Sequence, residues 1–371
     1  MATALCFITN ACNLMCQHCF ASSGIKKRGE MNLEDWYNAF FKLKELGVTK
    51  LVFLGGEPFM VPWLQFLVSP PQSPTWVVDN FEEVSIQTNG TVLDANVLDR
   101  INYFFPQRQN FSFVISLEDV VAANNDNIRG AGEFNKAVMA IRKLRMLGWS
   151  VWVRTTIYSW NDVLGVRNLA NELGANFTCA RFLPFGYGER LKEWVPSAKR
   201  LLEIYAGIDE AQRKGVTNAG KPLKITQVVD DSQYYLFNAV LRNEVAYRAL
   251  ERGRLCPASC NQISVSALGN ISACHMHLDE TDSPWHLGNI LTDSVEAINE
   301  KRKAWEAWRH DFIKEGRVLQ QCEFCRFFAW CGGGCTVYTA FSQQNGELVL
   351  GDSDCPLALL EESKKEVLLN E

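Results

Sequence analysis

The chain has 371 residues, 47% of them apolar and 21% charged, with a formal net charge of -5. That is an ordinary globular balance, with room for one large core plus a smaller unit. The acidic excess argues against a broad nucleic-acid surface, and with no run of 18 apolar residues a membrane span is not expected. The opening stretch, MATALCFITNAC, has neither a basic start nor a long apolar region, so it is not read as a signal peptide and a cytoplasmic protein is expected. Thirteen cysteines, an odd number, fit metal or iron–sulfur ligation better than disulfide staples in a reducing compartment.

In chain order, ALCFIT (4–9) reads as a strand. NLEDWYNAFFKLKELG (32–47) reads as a helix capped by Asn32 and stopped at Gly47. KLVFLGG (50–56) and VSIQTNG (84–90) are strands ending in turn residues, with PPQSP (70–74) marking the loop between them. A helix over about 92–103 follows, then a strand in FSFVISLED (111–119), a helix in FNKAVMAIRKLRMLG (134–148) and a strand in SVWVRTTI (150–157). A helix in DVLGVRNLANELG (162–174), a strand in ANFTCARFLP (175–184) and a helix near 197–214 complete six β–α units. The expected class is α/β: a partial (β/α)6 TIM-like barrel, its active site at the C-terminal ends of the strands. The reading divides the chain into a barrel at 1–215, a bridging region at 216–255 with a helix in DSQYYLFNAVLRNEVAYRALERG, and a small cysteine-rich α+β domain at 256–371. In that last part, QISVSALGNISACHMH (262–277) reads as a hairpin turned at Gly269 and Asn270. Two helical stretches are expected between 293 and 315, and a terminal helix at 356–369.

Cys12, Cys16 and Cys19, in CNLMCQHC, fall directly after the first strand. Three thiolates on a short loop can hold three corners of a four-iron, four-sulfur cluster and leave the fourth iron to a small molecule. Structural zinc with His18 as fourth ligand is the competing reading. In GGEP, Gly55 and Gly56 allow close backbone approach to a ligand, Glu57 can receive an ammonium group, and Pro58 fixes the turn; the plainer alternative is a glycine turn with a surface glutamate. Toward the other end stand Cys256, Cys260, Cys274, Cys322, Cys325, Cys331, Cys335 and Cys355. Eight ligands fill two four-ligand clusters, or two structural zinc sites. Cys6 and Cys179 lie in strands and are read as small buried hydrophobes.

The C-x3-C-x2-C loop after the first strand, with His18 at the aromatic position before its third cysteine, resembles the signature of the radical S-adenosylmethionine (SAM) superfamily. GGEP resembles that family's methionine-binding motif, and SLED (116–119) followed by RGAGEF (129–134) resembles its SLDG pattern, with Glu118 and Asp119 in place of aspartate and glycine. C-x2-C-x5-C-x3-C at 322–335, with the preceding hairpin, resembles the SPASM extension. The resemblance implies three 4Fe–4S clusters and SAM, cleaved reductively to a 5'-deoxyadenosyl radical. It assigns Cys256, Cys260, Cys274 and Cys335 to one auxiliary cluster, and Cys322, Cys325, Cys331 and Cys355 to another. It also implies polar contacts to SAM from Gln87 and Asn89, a ribose contact from Ser116, a carboxylate pairing for Arg154, and a SAM-side or peptide contact for Arg181.

Enzymes of that kind usually modify ribosomally made peptides by crosslinking, oxidation or backbone excision. Formylglycine formation in sulfatases and dehydrogenation of a small hydroxylated substrate are the alternatives. The sulfatase-modifying branch carries an aspartate base where this chain has His275, and an imidazole can accept a proton near neutral pH. Only eleven residues precede Cys12, so the reading expects a separate leader-recognition protein, as in enzymes that excise tyramine from a peptide, and an electron donor such as flavodoxin or ferredoxin.

Overall fold

The computed structural model describes residues 2–62, 80–104, 110–230 and 261–315, with isolated positions 64, 77, 234, 322, 343–344, 347–348 and 355. Seven strands pair in parallel, each with the next: β1 (Ala2–Phe7), β2 (Val48–Leu54), β3 (Glu83–Thr88), β4 (Phe111–Ser116), β5 (Ser150–Ile157), β6 (Asn176–Arg181) and β7 (Gln227–Val229). The helices between and after them are α1 (Leu33–Glu45), α2 (Ala95–Phe104), α3 (Ala122–Arg129), α4 (Glu133–Met146), α5 (Val163–Leu173) and α6 (Ala198–Lys214). β7 and α3 add to the expected pattern. β7 lies inside the stretch read as a bridge, and α3 is too polar to show an apolar stripe in sequence.

α1 shows how local sequence builds this layer. The Asn32 side chain accepts from the backbone N–H of Glu34 and Asp35, and Asp35 returns a bond to the Asn32 N–H, which satisfies orphan donors at the helix start. Trp36, Ala39, Phe40 and Leu43 recur at helical spacing and are wholly buried against the sheet. Each large side chain there contributes roughly 1.5–3 kcal/mol.

The strands carry two faces. On β4, Phe111, Phe113 and Ile115 are buried, while Ser112, Val114 and Ser116 are half-exposed; β5 repeats the alternation, with Val151, Val153, Thr155 and Ile157 buried. One face packs on helices and the other is the open concave interior of a partial barrel.

The cysteine-rich extension is continuous with this sheet. Its hairpin, β8 (Gln262–Val265) and β9 (Asn270–Ser272), pairs through β8 in parallel with β1, and β10 (His286–Asn289) adds beyond β9. The result is a ten-stranded sheet, ordered β10-β9-β8-β1-β2-β3-β4-β5-β6-β7. Gly269 at the hairpin turn has φ +84°, a conformation open to glycine. The two helical stretches expected between 293 and 315 are one helix, α7 (Val295–Lys314); no glycine or proline interrupts its sequence. A short pair, β11 (Gln343–Gln344) and β12 (Glu347–Leu348), completes the described strands. The helices expected over 231–253 and 356–369, and the loop at 70–74, lie outside the described residues. Cys6 and Cys179 are fully buried in the core. Among the described residues, no helix is long and apolar enough to cross a membrane.

Candidate active site

The three-thiol loop leaves the C-terminal end of β1 and is tied down on every side. Gly24 donates its N–H to the Asn10 carbonyl at 2.9 Å, and Cys12 donates to the Gly24 carbonyl at 3.0 Å. Gln17 donates to the Ile128 carbonyl at the end of α3, and Tyr187 donates to the Cys19 carbonyl, both at 3.0 Å. Two sulfurs face backbone donors: the Leu14 N–H lies 3.4 Å from Cys12 Sγ, and the Ser23 N–H lies 3.5 Å from Cys19 Sγ. Such donors favour a ligated thiolate over a neutral thiol.

Burial pushes the free Cys12 thiol up to about 11; the Leu14 N–H pulls it down, and the Glu57 charge adds to the rise. Burial also raises Cys16, against the pull of Arg129. Ligation at these thiols therefore releases protons. Among the described residues, no three His, Cys, Asp or Glu side chains converge as a single ion requires. Three cysteines on one loop, two of them facing backbone N–H donors, fit three corners of a multi-iron cluster better than zinc, whose fourth ligand, His18, faces Glu118 instead.

Gly55 and Gly56 meet this loop across a very short gap. The Gly56 N–H donates to the Thr9 carbonyl and the Glu57 N–H to the Ala11 carbonyl, each at 2.7 Å. A Cβ on Gly56 would lie 2.1 Å from the Ala11 oxygen, and one on Gly55 would lie 2.4 Å from the Thr9 oxygen. The close approach these glycines allow is therefore to the root of the thiol loop. Glu57 is 0% exposed, which rules out the plainer reading of a surface glutamate. Its carboxylate accepts from the Thr88 hydroxyl at 2.7 Å, the Asn89 N–H at 2.8 Å and the Phe59 N–H at 3.2 Å. It braces the end of β2 against the end of β3. Pro58 opens the 3-10 turn Pro58–Met60.

The other strand ends converge on the same mouth. Asn89 donates to Asn13 of the thiol loop at 2.9 Å and accepts from Thr91, so it holds the loop to β3. Gln87, Ser116 and Arg154 are half-exposed strand residues, and Ser116 stands beside Arg154 in register. The Arg154 guanidinium engages Asp230, just past β7, at 2.9 Å. Arg181, the last residue of β6, is buried.

Glu118, whose part the sequence left open, is the centre of a buried cluster. Its carboxylate lies 2.8 Å from Arg129 Nη1 and 3.8 Å from His18 Nε2. Burial drives His18 down to about 4, against the opposing pull of Glu118, so the ring is neutral at pH 7. His18 also packs on Tyr158, which stacks on Trp160 and meets Trp194 edge-on. Sequence reading passed over Arg129, Asn125, Tyr158 and Asn161. Arg129 was in view within RGAGEF, but nothing local to that motif shows that it turns back to β4.

The extension reaches the mouth through the segment after β9. Cys274 is buried, and His275 follows it in a 3-10 turn, edge-on to Phe20 of the thiol loop at 5.2 Å. Burial lowers the His275 imidazole to about 4, against the charge of Asp230. His277 is stacked on Trp285 at 4.6 Å and bonded to Glu280 at 2.7 Å. A cavity of about 270 Å³ lies between the loop and the hairpin, its walls including Thr9, Phe20, Ser23, Gly55, Ser266 and His275. Cys322 and Cys355 are half-buried. Cys256, Cys260, Cys325, Cys331 and Cys335 lie outside the described residues.

Two family models match the chain. The radical SAM superfamily matches residues 6–200, and an iron–sulfur cluster-binding domain, SPASM, matches residues 256–326. The mycofactocin maturase MftC of Mycobacterium ulcerans (strain Agy99) is 25% identical over 339 residues, 90% of this chain and 83% of its own length. The antilisterial bacteriocin subtilosin biosynthesis protein AlbA of Bacillus subtilis (strain 168) is 25% identical over 333 residues, 88% of this chain and 65% of its own length. The crystal structure of Streptococcus suis SuiB bound to precursor peptide SuiA superposes with a TM-score of 0.72 at 16% identity, over 95% of this chain and 75% of that one.

Proposed function

Because the chain belongs to the radical SAM superfamily, and so works with a 4Fe–4S cluster and S-adenosylmethionine, we propose that it is a peptide-modifying enzyme that acts on a ribosomally made precursor. One observation carries the reading furthest: the three-thiol loop, the Gly55–Gly56 turn and the His275 segment of the extension stand together at one end of one continuous sheet. When bound, the cluster and SAM supply a 5'-deoxyadenosyl radical for hydrogen abstraction.

The chain's own residues hold, orient and enclose. Cys12, Cys16 and Cys19 are the ligands of the N-terminal cluster, and Asn89 keeps their loop against β3. Gln87, Ser116 and Arg154 line the concave face, where Arg154 can exchange its Asp230 partner for a carboxylate of SAM. The backbone at Gly55–Pro58, His18 and Arg181 complete the binding wall. The extension cysteines hold two auxiliary clusters, partitioned as the resemblance gives them. His275, neutral and beside the cavity, is placed to accept a proton.

The maturase name of MftC and the precursor seated on SuiB support a peptide substrate. Within that class the reading covers crosslinking, oxidation and backbone excision, tyramine excision included. A separate leader-recognition protein and a low-potential donor such as flavodoxin or ferredoxin serve it in the cytoplasm.

Short peptides encoded beside the gene, made with deuterated side chains and incubated anaerobically with reduced enzyme and SAM, test this. The reading expects deuterium in 5'-deoxyadenosine and a mass change in one peptide. Deoxyadenosine that stays unlabelled with every such peptide contradicts it.

A further inference from the structure

The buried pair behind the thiol loop has no partner in the chemistry described so far. Glu118 is 2% exposed and Arg129 is 8% exposed. Beyond the Arg129 contact at 2.8 Å, the Glu118 carboxylate accepts the Thr156 N–H at 2.9 Å, and its own N–H donates to Asn125 at 3.0 Å. Asn161 donates to the Glu118 carbonyl at 2.7 Å. α3 and β5 thus fix the carboxylate, and Asn125 and Asn161 fix the backbone that carries it.

The loop is attached to the same cluster. Arg129 ends α3, and the two carbonyls just before it, Asn127 and Ile128, accept from the side chain and the backbone of Gln17. His18 Nε2 stands 3.8 Å from Glu118. The segment Cys16–Cys19 is therefore backed on its protein side by a fixed positive charge and a fixed negative one. Both are shielded from water and salt, so their fields reach the loop far less screened than surface charges would.

We propose that Glu118 and Arg129 are positioning residues that hold the thiol loop and set the electron affinity of the cluster it carries. Arg129 favours the reduced cluster, which has one more negative charge. Glu118 favours the oxidised one. A one-electron reduction makes or breaks no bond here, so the pair shifts the potential through its charges. The inference rests on the reading that Cys12, Cys16 and Cys19 hold a cluster.

The test is an EPR-monitored redox titration of anaerobic holoenzyme with dithionite. It follows the signal that changes when SAM is added, so that the extension's clusters are not confused with it. Arg129→Gln is expected to lower the midpoint potential and Glu118→Gln to raise it. The double variant should return toward wild type, and Arg129→Lys, which keeps the charge, should stay near it. Loosening of the loop alone would move both single variants in one direction; that result, or no movement in either, overturns the proposal. If Arg129→Gln holds no iron, Glu118→Gln and Arg129→Lys still decide: a potential that does not rise in the first, or that moves in the second as in the first, overturns it. A wild-type protein with no SAM-responsive signal defeats instead the reading of the thiol loop.

Discussion

Gly56 has no room for a side chain. A methyl group there would press on the Ala11 carbonyl, a backbone atom that cannot turn aside. Gly56→Ala is therefore expected to push the thiol loop away from β2, break the 2.7 Å bonds that tie Thr9 and Ala11 to Gly56 and Glu57, and abolish SAM binding. Equilibrium dialysis with labelled SAM reads this directly; wild-type affinity in the alanine variant would contradict it. The glycines were legible in sequence as a place of close approach, but what approaches them was not. GGEP does not say that Glu57 will be sealed beneath β3, because its donors arrive from Thr88 and Asn89, some thirty residues later in the fold. Glu118 is the same case: a departure from the family's aspartate in sequence, and in the structure one half of a buried ion pair.

Helices and strands were far more legible, because each obeys a local rule. The capping box at Asn32 and the apolar spacing of α1 need no tertiary information. α3 had no such signal, since AANNDNIR has no apolar stripe; it is held by the packing of Asn125, Ile128 and Arg129, and its own Asp126 reaches past its end. Asp126 accepts the Gly132 N–H at 2.7 Å and the Phe134 N–H at 2.8 Å, so it caps the start of α4 from the preceding helix. Slight burial opposes ionisation, but these backbone donors win and hold its carboxyl below the ordinary aspartate value. A carboxyl lowered by folding stabilises fully above its unfolded value of about 3.9, and the benefit is lost as pH falls through the lower folded value. Asp126→Ala is expected to cost about 1 kcal/mol in urea unfolding. That difference should be flat from about pH 8 to about pH 5 and shrink below about pH 4. A difference that grows on acidification would contradict the assignment.

At the scale of the molecule, the seam between barrel and extension is a strand pairing. β8 lies in parallel along β1 from Thr3 to Cys6, Lys27 reaches Asp279 at 2.7 Å, and Lys42 donates to the Asp293 carbonyl at 2.9 Å. Sequence reading found the hairpin but could not join it to β1, because parallel partners more than 250 residues apart leave no local mark. A chain ending at Asp230 would bare the edge of β1, the strand that feeds the thiol loop. It is expected to be recovered largely as insoluble protein, since an open edge strand invites pairing between chains. A soluble monomer with a native melting transition would contradict that view of the seam.

The claim beneath all of this is that the loop of Cys12, Cys16 and Cys19 presents a reducible cluster to a sulfonium cofactor. The most direct measurement is 5'-deoxyadenosine released from SAM by anaerobically prepared, dithionite-reduced protein, with the Cys12→Ala, Cys16→Ala and Cys19→Ala variants alongside. The account predicts release by the wild type and its loss in all three variants. Equal release by the variants, or none from an iron-replete wild type, would contradict it.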